Sequence, residues 1–237
     1  MTHKNLLLAA ALASVTMLSG LAHAGAITGK IVFEGEAPPM KPVNTEGADP
    51  VCAAMHKDEP LLNEVLVLGE GQTMANVFVH VTGGLAAKDY PMPAEAFPVT
   101  QKGCRYDPHV FAVRTGQTVK ILNPDGTLHN VNGMPEKNPP FNKGMPKNVT
   151  EMDVVFTIPE MMFPMRCDVH PWMRAYCAVM DHPFYTITQK DGIFKIDGLD
   201  AGEYEIAAWH ERLGEQKAKV TVAADGSVEQ NFTFKRN

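Results

Sequence analysis

The stretch CDVHPWM places Cys167, His170 and Met173 three residues apart, so one short loop carries a thiolate, an imidazole and a thioether. A second imidazole, His129, stands upstream in KILNPDGTLHNVNG, just past an alternating apolar and polar run, and Asn130 follows it. Two imidazoles, one thiolate and one thioether form the ligand set of a type 1 copper centre, a trigonal His2Cys plane with a weak axial methionine. Such a set suits both Cu(I) and Cu(II), so little has to move when an electron passes. Zinc takes Cys and His readily, but a thioether is a poor zinc ligand. A Cys–His pair this close in sequence also aligns badly as nucleophile and general base.

The remaining polarisable groups have ordinary readings beside the chemical ones. His109 follows a proline at a strand start, while His182 (DHPF) and His210 (WHE) lie in turn-like contexts. The default for each is a structural hydrogen bond; the alternative is a second metal site, or for His109 a place behind the first. Eight of the fourteen methionines fall between Met134 and Met180, which suits irregular core filling better than copper handling, because no repeated Met-x-x-Met spacing appears. Cys52 (DPVCAAM) and Cys104 (KGCRYDP) occupy loop-like positions and are expected to pair, leaving Cys177 as a buried strand thiol. The competing arrangement pairs Cys167 with Cys177 and abolishes the metal site.

The elements that must hold these donors read as strands and turns. GAITGKIVFEG, LLNEVLVLG, ANVFVHVTGG, VVFTIPE, AYCAVMD, FYTITQKDGIFKI, GEYEIAAWHE, KAKVTVAADG and VEQNFTF alternate or are β-branched and end on turn residues. HVFAVRTGQTVKILNPDG is expected to be a hairpin. Short helices are expected near 50–57 and 92–96, and loops over 40–60 and 133–152, which are rich in Pro, Gly, Asn and Lys. Many short strands imply an all-β sandwich or barrel.

His129-Asn130, then Cys167 to Met173, preceded by YDPHVFAVRTGQTVKILNPDG, resemble the cupredoxins, with a short ligand loop of the amicyanin type. The resemblance covers residues 105–180 and implies a Greek-key β-sandwich holding one copper ion and shuttling single electrons. It implies that the amide of Asn130 donates to the Cys167 sulfur, and that His170 reaches the surface through an apolar patch, with Pro171 and Trp172 shaping the docking and electron exit. DHPFYTITQKDGIFKIDGLDAGEYEIAAWHE resembles carboxypeptidase-regulatory and transthyretin-like modules, which carry no catalysis; Thr188, Gly192, Phe194, Ile196, Leu199, Gly202 and Tyr204 match. The expected division is a signal peptide over 1–24, a β-rich amino-terminal segment over 25–95 packed on the copper domain, the copper domain over 96–182, and a small carboxyl-terminal sandwich over 183–237.

THK, an apolar run and Ala22-His23-Ala24 read as a secretory signal cut after Ala24, so a periplasmic or secreted protein is expected. Losing Lys4 takes the formal charge from −6 to about −7, which argues against nucleic acid as partner. No further segment has the ~20 apolar residues of a membrane span. The expected function is that of an electron carrier, not an enzyme, exchanging with a redox protein such as a periplasmic cytochrome c or a dehydrogenase. The alternatives are copper delivery without redox turnover, and a recognition module.

Overall fold

Residues 24–45, 47, 49–224 and 226–236 are described by a computed structural model. The expected targeting segment, 1–24, lies outside the described residues apart from Ala24. The fold is all-β, as the alternation of side chains expects. In chain order the strands are β1 (Gly25–Glu34), β2 (Phe78–Gly83), β3 (Phe97–Thr100), β4 (Val110–Arg114), β5 (Thr118–Leu122), β6 (His129–Gly133), β7 (Phe141–Met145) and β8 (Glu151–Val155). Then follow β9 (Glu160–Arg166), β10 (Arg174–Met180), β11 (Tyr185–Ile187), β12 (Ile193–Leu199), β13 (Gly202–His210), β14 (Gly214–Val222), β15 (Ser227–Glu229) and β16 (Phe232–Lys235). Among the described residues one short α-helix, α1 (Pro50–Met55), starts as its sequence requires. Pro50 needs no amide partner there, and the Asp49 carboxylate accepts from the amides of Val51 and Cys52.

Two apolar cores organise these strands. The first lies between a five-stranded sheet, ordered β4-β10-β9-β6-β7, and a three-stranded sheet, β3-β5-β8. Phe111, Val113, Val119, Ile121, Val131, Met145, Phe163, Met165 and Ala175 fill it. The second lies between the sheet built on β1 and the sheet β11-β2-β13-β14. A smaller apolar cluster, with Phe78, Val110, Ala112, Ala178 and Met180, joins the two sandwiches.

Several expectations change at this level. The segments 25–95 and 183–237 do not make separate units. β1 pairs antiparallel with β12 and parallel with β15 and β16, while β2 lies between β11 and β13. Ile27 and Ile31 of β1, Val79 and Val81 of β2, and Phe194, Ile206 and Phe234 share one core, so the amino-terminal strands complete the carboxyl-terminal sandwich. The expected hairpin at 110–122 is a corner instead: β4 pairs with β10 in one sheet, β5 with β3 and β8 in the other. At its turn Thr115 N–H donates to Met180 O at the end of β10 and Gly116 N–H to Phe156 O just past β8, so the turn's amides are bound on two different sides. Gly116 takes φ +84°, a conformation that favours glycine. Residues 61–69 form only isolated bridges, residues 92–96 are not helical, and the expected loop 133–152 contains β7 and the start of β8. There Glu160 accepts from the amides of Glu136, Lys137 and Asn138, which fixes the turn before β7.

His80 of β2 lies in this second unit, stacked on Phe78 at 4.8 Å, with both ring nitrogens buried and without a hydrogen-bond partner. Burial holds its pKa down to about 4. Burial does the same for His210, also to about 4, whose Nδ1 accepts from the amide of Arg212. An unfolded histidine takes up its proton near pH 6.5. Between about pH 6.5 and 4 the unfolded chain therefore binds more protons, and stability falls as pH drops across that window. Urea midpoints should decline over it, and His80→Phe should flatten part of the slope, with His210, His182, whose pKa burial also lowers, and the lowered Cys167 thiol contributing to the rest.

Candidate metal centre

The strand order explains why the four predicted donors lie at one end of the sandwich. β9 and β10 are antiparallel neighbours, with Arg166 opposite Arg174, so residues 167–173 form the loop that joins them. β6 lies on the other side of β9 and runs against it, with Asn132 opposite Arg166. The start of β6, where His129 stands, therefore lies at the same end as the finish of β9, where Cys167 stands. The loop closes on itself: Cys167 N–H donates to Met173 O at 3.2 Å, and Met173 N–H donates to His170 O at 2.9 Å.

His129 Nδ1 and His170 Nδ1 are 3.0 Å apart, and Cys167 Sγ is 3.7 Å from His170 Nδ1. The donor atoms of His129, Cys167 and His170 all fall within 4.8 Å of one another. Trigonal bonds of about 2.0 Å to nitrogen and 2.3 Å to sulfur would put donors about 3.5 to 3.8 Å apart. The set thus needs only a small opening between the imidazoles to hold a metal ion. Met173 is 1% exposed and packs in the same core as Cys167. The Asn130 amide points at Cys167 Sγ from 3.5 Å, as the resemblance implies.

The electrostatics favour a thiolate. Burial alone would raise the Cys167 thiol, but hydrogen bonds from His129 and His170 and from the Asn130 amide outweigh it and bring the pKa down to about 6. Burial likewise opposes charge on His129, yet Asp125 and Cys167 raise it to about 9. The two shifts have opposite directions and favour a thiolate beside a protonated His129; a cation that takes both donors displaces the proton.

Sequence reasoning missed the carboxylates. Asp125 Oδ2 lies 3.0 Å from His129 Nε2, and Asp49 Oδ2 lies 3.4 Å from His170 Nε2. Asp125 sits in the Pro-Asp-Gly turn four residues before His129, and Asp49 precedes a proline that opens a helix, so each looked like turn chemistry. Cys52 and Cys104 form the expected disulfide, leaving Cys167 and Cys177 free and buried. That disulfide carries α1 over the metal end. His170 is consequently 0% exposed, with Cys52 Sγ 3.5 Å from its Nε2, and does not reach the surface. Trp172 remains half-buried at the rim, its indole donating to Cys104 O at 2.9 Å, with Pro171 exposed beside it.

His109, His182 and His210 form no metal cluster among the described residues. His109 Nε2 pairs with Glu211 at 2.6 Å and its Nδ1 meets Arg174 O, while His182 Nδ1 accepts from the Phe184 amide. Of the methionines, Met145, Met165, Met173 and Met180 are core residues.

A polar network fixes the loop from outside. The Asn130 side chain accepts from the Asp168 amide at 2.6 Å and donates to the Asp168 carboxylate, which also accepts from Asn132 and Asn142. Asn130→Ala keeps the backbone donor to sulfur but strands the Asp168 amide. It should cost about 1–3 kcal/mol in urea unfolding.

No protein-family model and no curated protein matches this chain. Among solved structures it is similar to copper-containing nitrite reductase (NirK) from Thermus scotoductus SA-01, at 20% identity and a TM-score of 0.33, over 41% of this chain. It spans only 25% of the reductase chain. A methionine-to-alanine mutant of amicyanin in its Cu(I) form matches at 19% identity and a TM-score of 0.33, over 43% of this chain and 98% of that one. A purple cupredoxin from Nitrosopumilus maritimus matches at 19% identity and a TM-score of 0.30, over 35% of this chain and 99% of that one.

Proposed function

We propose that the chain is a one-electron carrier with a single type 1 copper centre held by His129, Cys167, His170 and Met173. The observation that carries this reading is the convergence at one buried point of two Nδ1 atoms and a thiolate-prone sulfur, from the start of β6 and from a loop that also buries Met173. Copper would supply the Cu(II)/Cu(I) couple. The protein would hold the donors rigid through the closed 167–173 loop, exclude water, and temper the sulfur with the Asn130 amide. The Cys52–Cys104 disulfide fits an oxidising compartment such as the periplasm. The second sandwich offers no comparable donor set among the described residues. Its carboxyl-terminal strands, which resemble a carboxypeptidase-regulatory module, fit a structural role.

With His170 covered, Trp172 becomes the route for electrons. Its ring lies 5.2 Å from the His170 ring and on its other side lines a cleft of about 530 Å³ with Pro171, Glu64, Arg105, Arg174 and Arg212. Arg105, Arg174 and Arg212 outnumber Glu64 and Glu211 in this cleft, although Arg105 pairs with Glu64 at 3.7 Å, and the excess suits a partner with an acidic contact face, as a cytochrome c or a dehydrogenase could present.

Copper loading should give an intense absorption band near roughly 600 nm that Cys167→Ser removes, the signature of a Cu(II)–thiolate bond. A colourless protein retaining only Cu(I) would point instead to delivery, and zinc uptake without copper uptake would defeat the proposal. Stopped-flow exchange with an acidic-faced redox partner should slow about tenfold at low salt in the Arg105→Glu, Arg174→Glu variant, with a weaker salt dependence. An unchanged rate would move the exit away from Trp172.

A further inference from the structure

Each metal-facing imidazole carries a carboxylate on its far nitrogen, and the two carboxylates belong to one braced assembly. Asp125 takes His129 Nε2 at 3.0 Å while its oxygens accept from the amides of Gly103 at 2.8 Å and Cys104 at 2.7 Å. Asp49 approaches His170 Nε2 at 3.4 Å while accepting from the amides of Val51 at 2.7 Å and Cys52 at 3.2 Å, and from the Thr127 hydroxyl at 2.8 Å. Thr127 stands in the same turn as Asp125. The Cys52–Cys104 disulfide ties together the two peptide segments whose amides hold the two carboxylates. His56 adds a second tie, donating from Nε2 to Gly103 O at 2.9 Å. The ring of contacts runs from Asp49 through Thr127 and its turn to Asp125, then through Cys104 and the disulfide to Cys52 and back.

We propose that Asp49 and Asp125 are positioning residues for the metal. Each fixes one imidazole with its proton on Nε2 and its lone pair on Nδ1 facing the ion, and together they bias the centre toward the oxidised state. The proposal rests on the type 1 copper reading above. Its physical basis is general: a carboxylate behind a ligand imidazole fixes the tautomer and raises ligand basicity. Two fixed negative charges near a metal, poorly screened because the site is buried, favour the ion of higher charge. Asp125 acts more strongly, since its side chain is 3% exposed against 15% for Asp49 and its contact is shorter. The disulfide keeps Asp49 in place, so the assembly couples the bond to the metal's electronic balance without making either sulfur a ligand.

The test uses the copper-loaded full-length mature protein and its Asp125→Asn and Asp49→Asn variants, which preserve shape and remove charge. Redox titration followed at the thiolate band reads the preference for Cu(II) over Cu(I). Asp125→Asn should lower that preference roughly tenfold, a rise of about 59 mV for a one-electron couple. Asp49→Asn should move it the same way by less, and the Cys52→Ala, Cys104→Ala protein should resemble Asp49→Asn. A purely structural role would lower the melting temperature and leave the potential unmoved. Blue, folded variants with the parental potential would therefore overturn this inference while leaving the carrier reading intact. A parent with no such band would overturn both. Should Asp125→Asn fail to fold, the partly exposed Asp49→Asn decides by itself.

Discussion

Everything at the metal end depends on placing titratable groups where water is nearly absent and leaving none of them unpaired. Two imidazoles and a thiol, each no more than 2% exposed, would be costly as isolated charges. The fold resolves this by giving each buried group a polar partner, shell by shell outward from the centre. The thiolate faces two imidazoles, the imidazoles face two carboxylates, and the carboxylates face backbone amides and a hydroxyl. Breaking one link leaves a buried charge without its partner, which generally destabilises far more than the intact pair contributes. That requirement explains why α1 and its disulfide lie over His170.

The second sandwich then acquires a physical reason for its odd chain path. β1 and β2 precede the sandwich that carries the candidate metal site and their partners β11 to β16 follow it, so the first core is closed within the chain that forms the second. The residues between β2 and β3, and the long run from β1 to β2 that includes α1, are tethered at both ends by paired strands. The covering segment is thus held by the second sandwich on one side and by Cys104 on the other. His109 adds a polar contact between the units, since its ring, at the start of β4, pairs with Glu211 just beyond β13. Burial disfavours charge on that ring, but the Glu211 carboxylate outweighs it and raises the His109 pKa.

The candidate donor set can be proposed from sequence because its chemistry is local: Cys167, His170 and Met173 sit on one loop, and a soft thioether beside a thiol and imidazoles narrows the choice of metal. The all-β class was legible because period-two alternation is also local. What escaped was non-local or ambiguous in type. A two-residue turn between alternating runs reads as a hairpin, and only the sheets on either side of residues 110–122 make it a corner. The parallel pairing of β1 with β15 and β16 joins opposite ends of the chain, and nothing in either segment specifies its partner. Asp125 and Asp49 escaped for a different reason. Aspartate in a Pro-Asp-Gly turn or before a helical proline already has a sufficient explanation, so its second use cannot be separated from its first by sequence.

That double use is itself informative about how such a centre can be built. A carboxylate free to rotate would lose its hold on an imidazole whenever water competed for it. Asp49 and Asp125 are immobilised by the amides of a helix start and of a loop, contacts they would make in any case. Aiming the remaining lone pairs at His129 and His170 then costs little additional entropy. The same economy shapes the surface. Covering His170 removes a direct path to solvent, but the indole of Trp172, fixed by its bond to Cys104 O, stands against that ring and opens on the arginine-lined cleft. The segment that braces the inner face of the centre therefore also determines which side chain remains at its outer face.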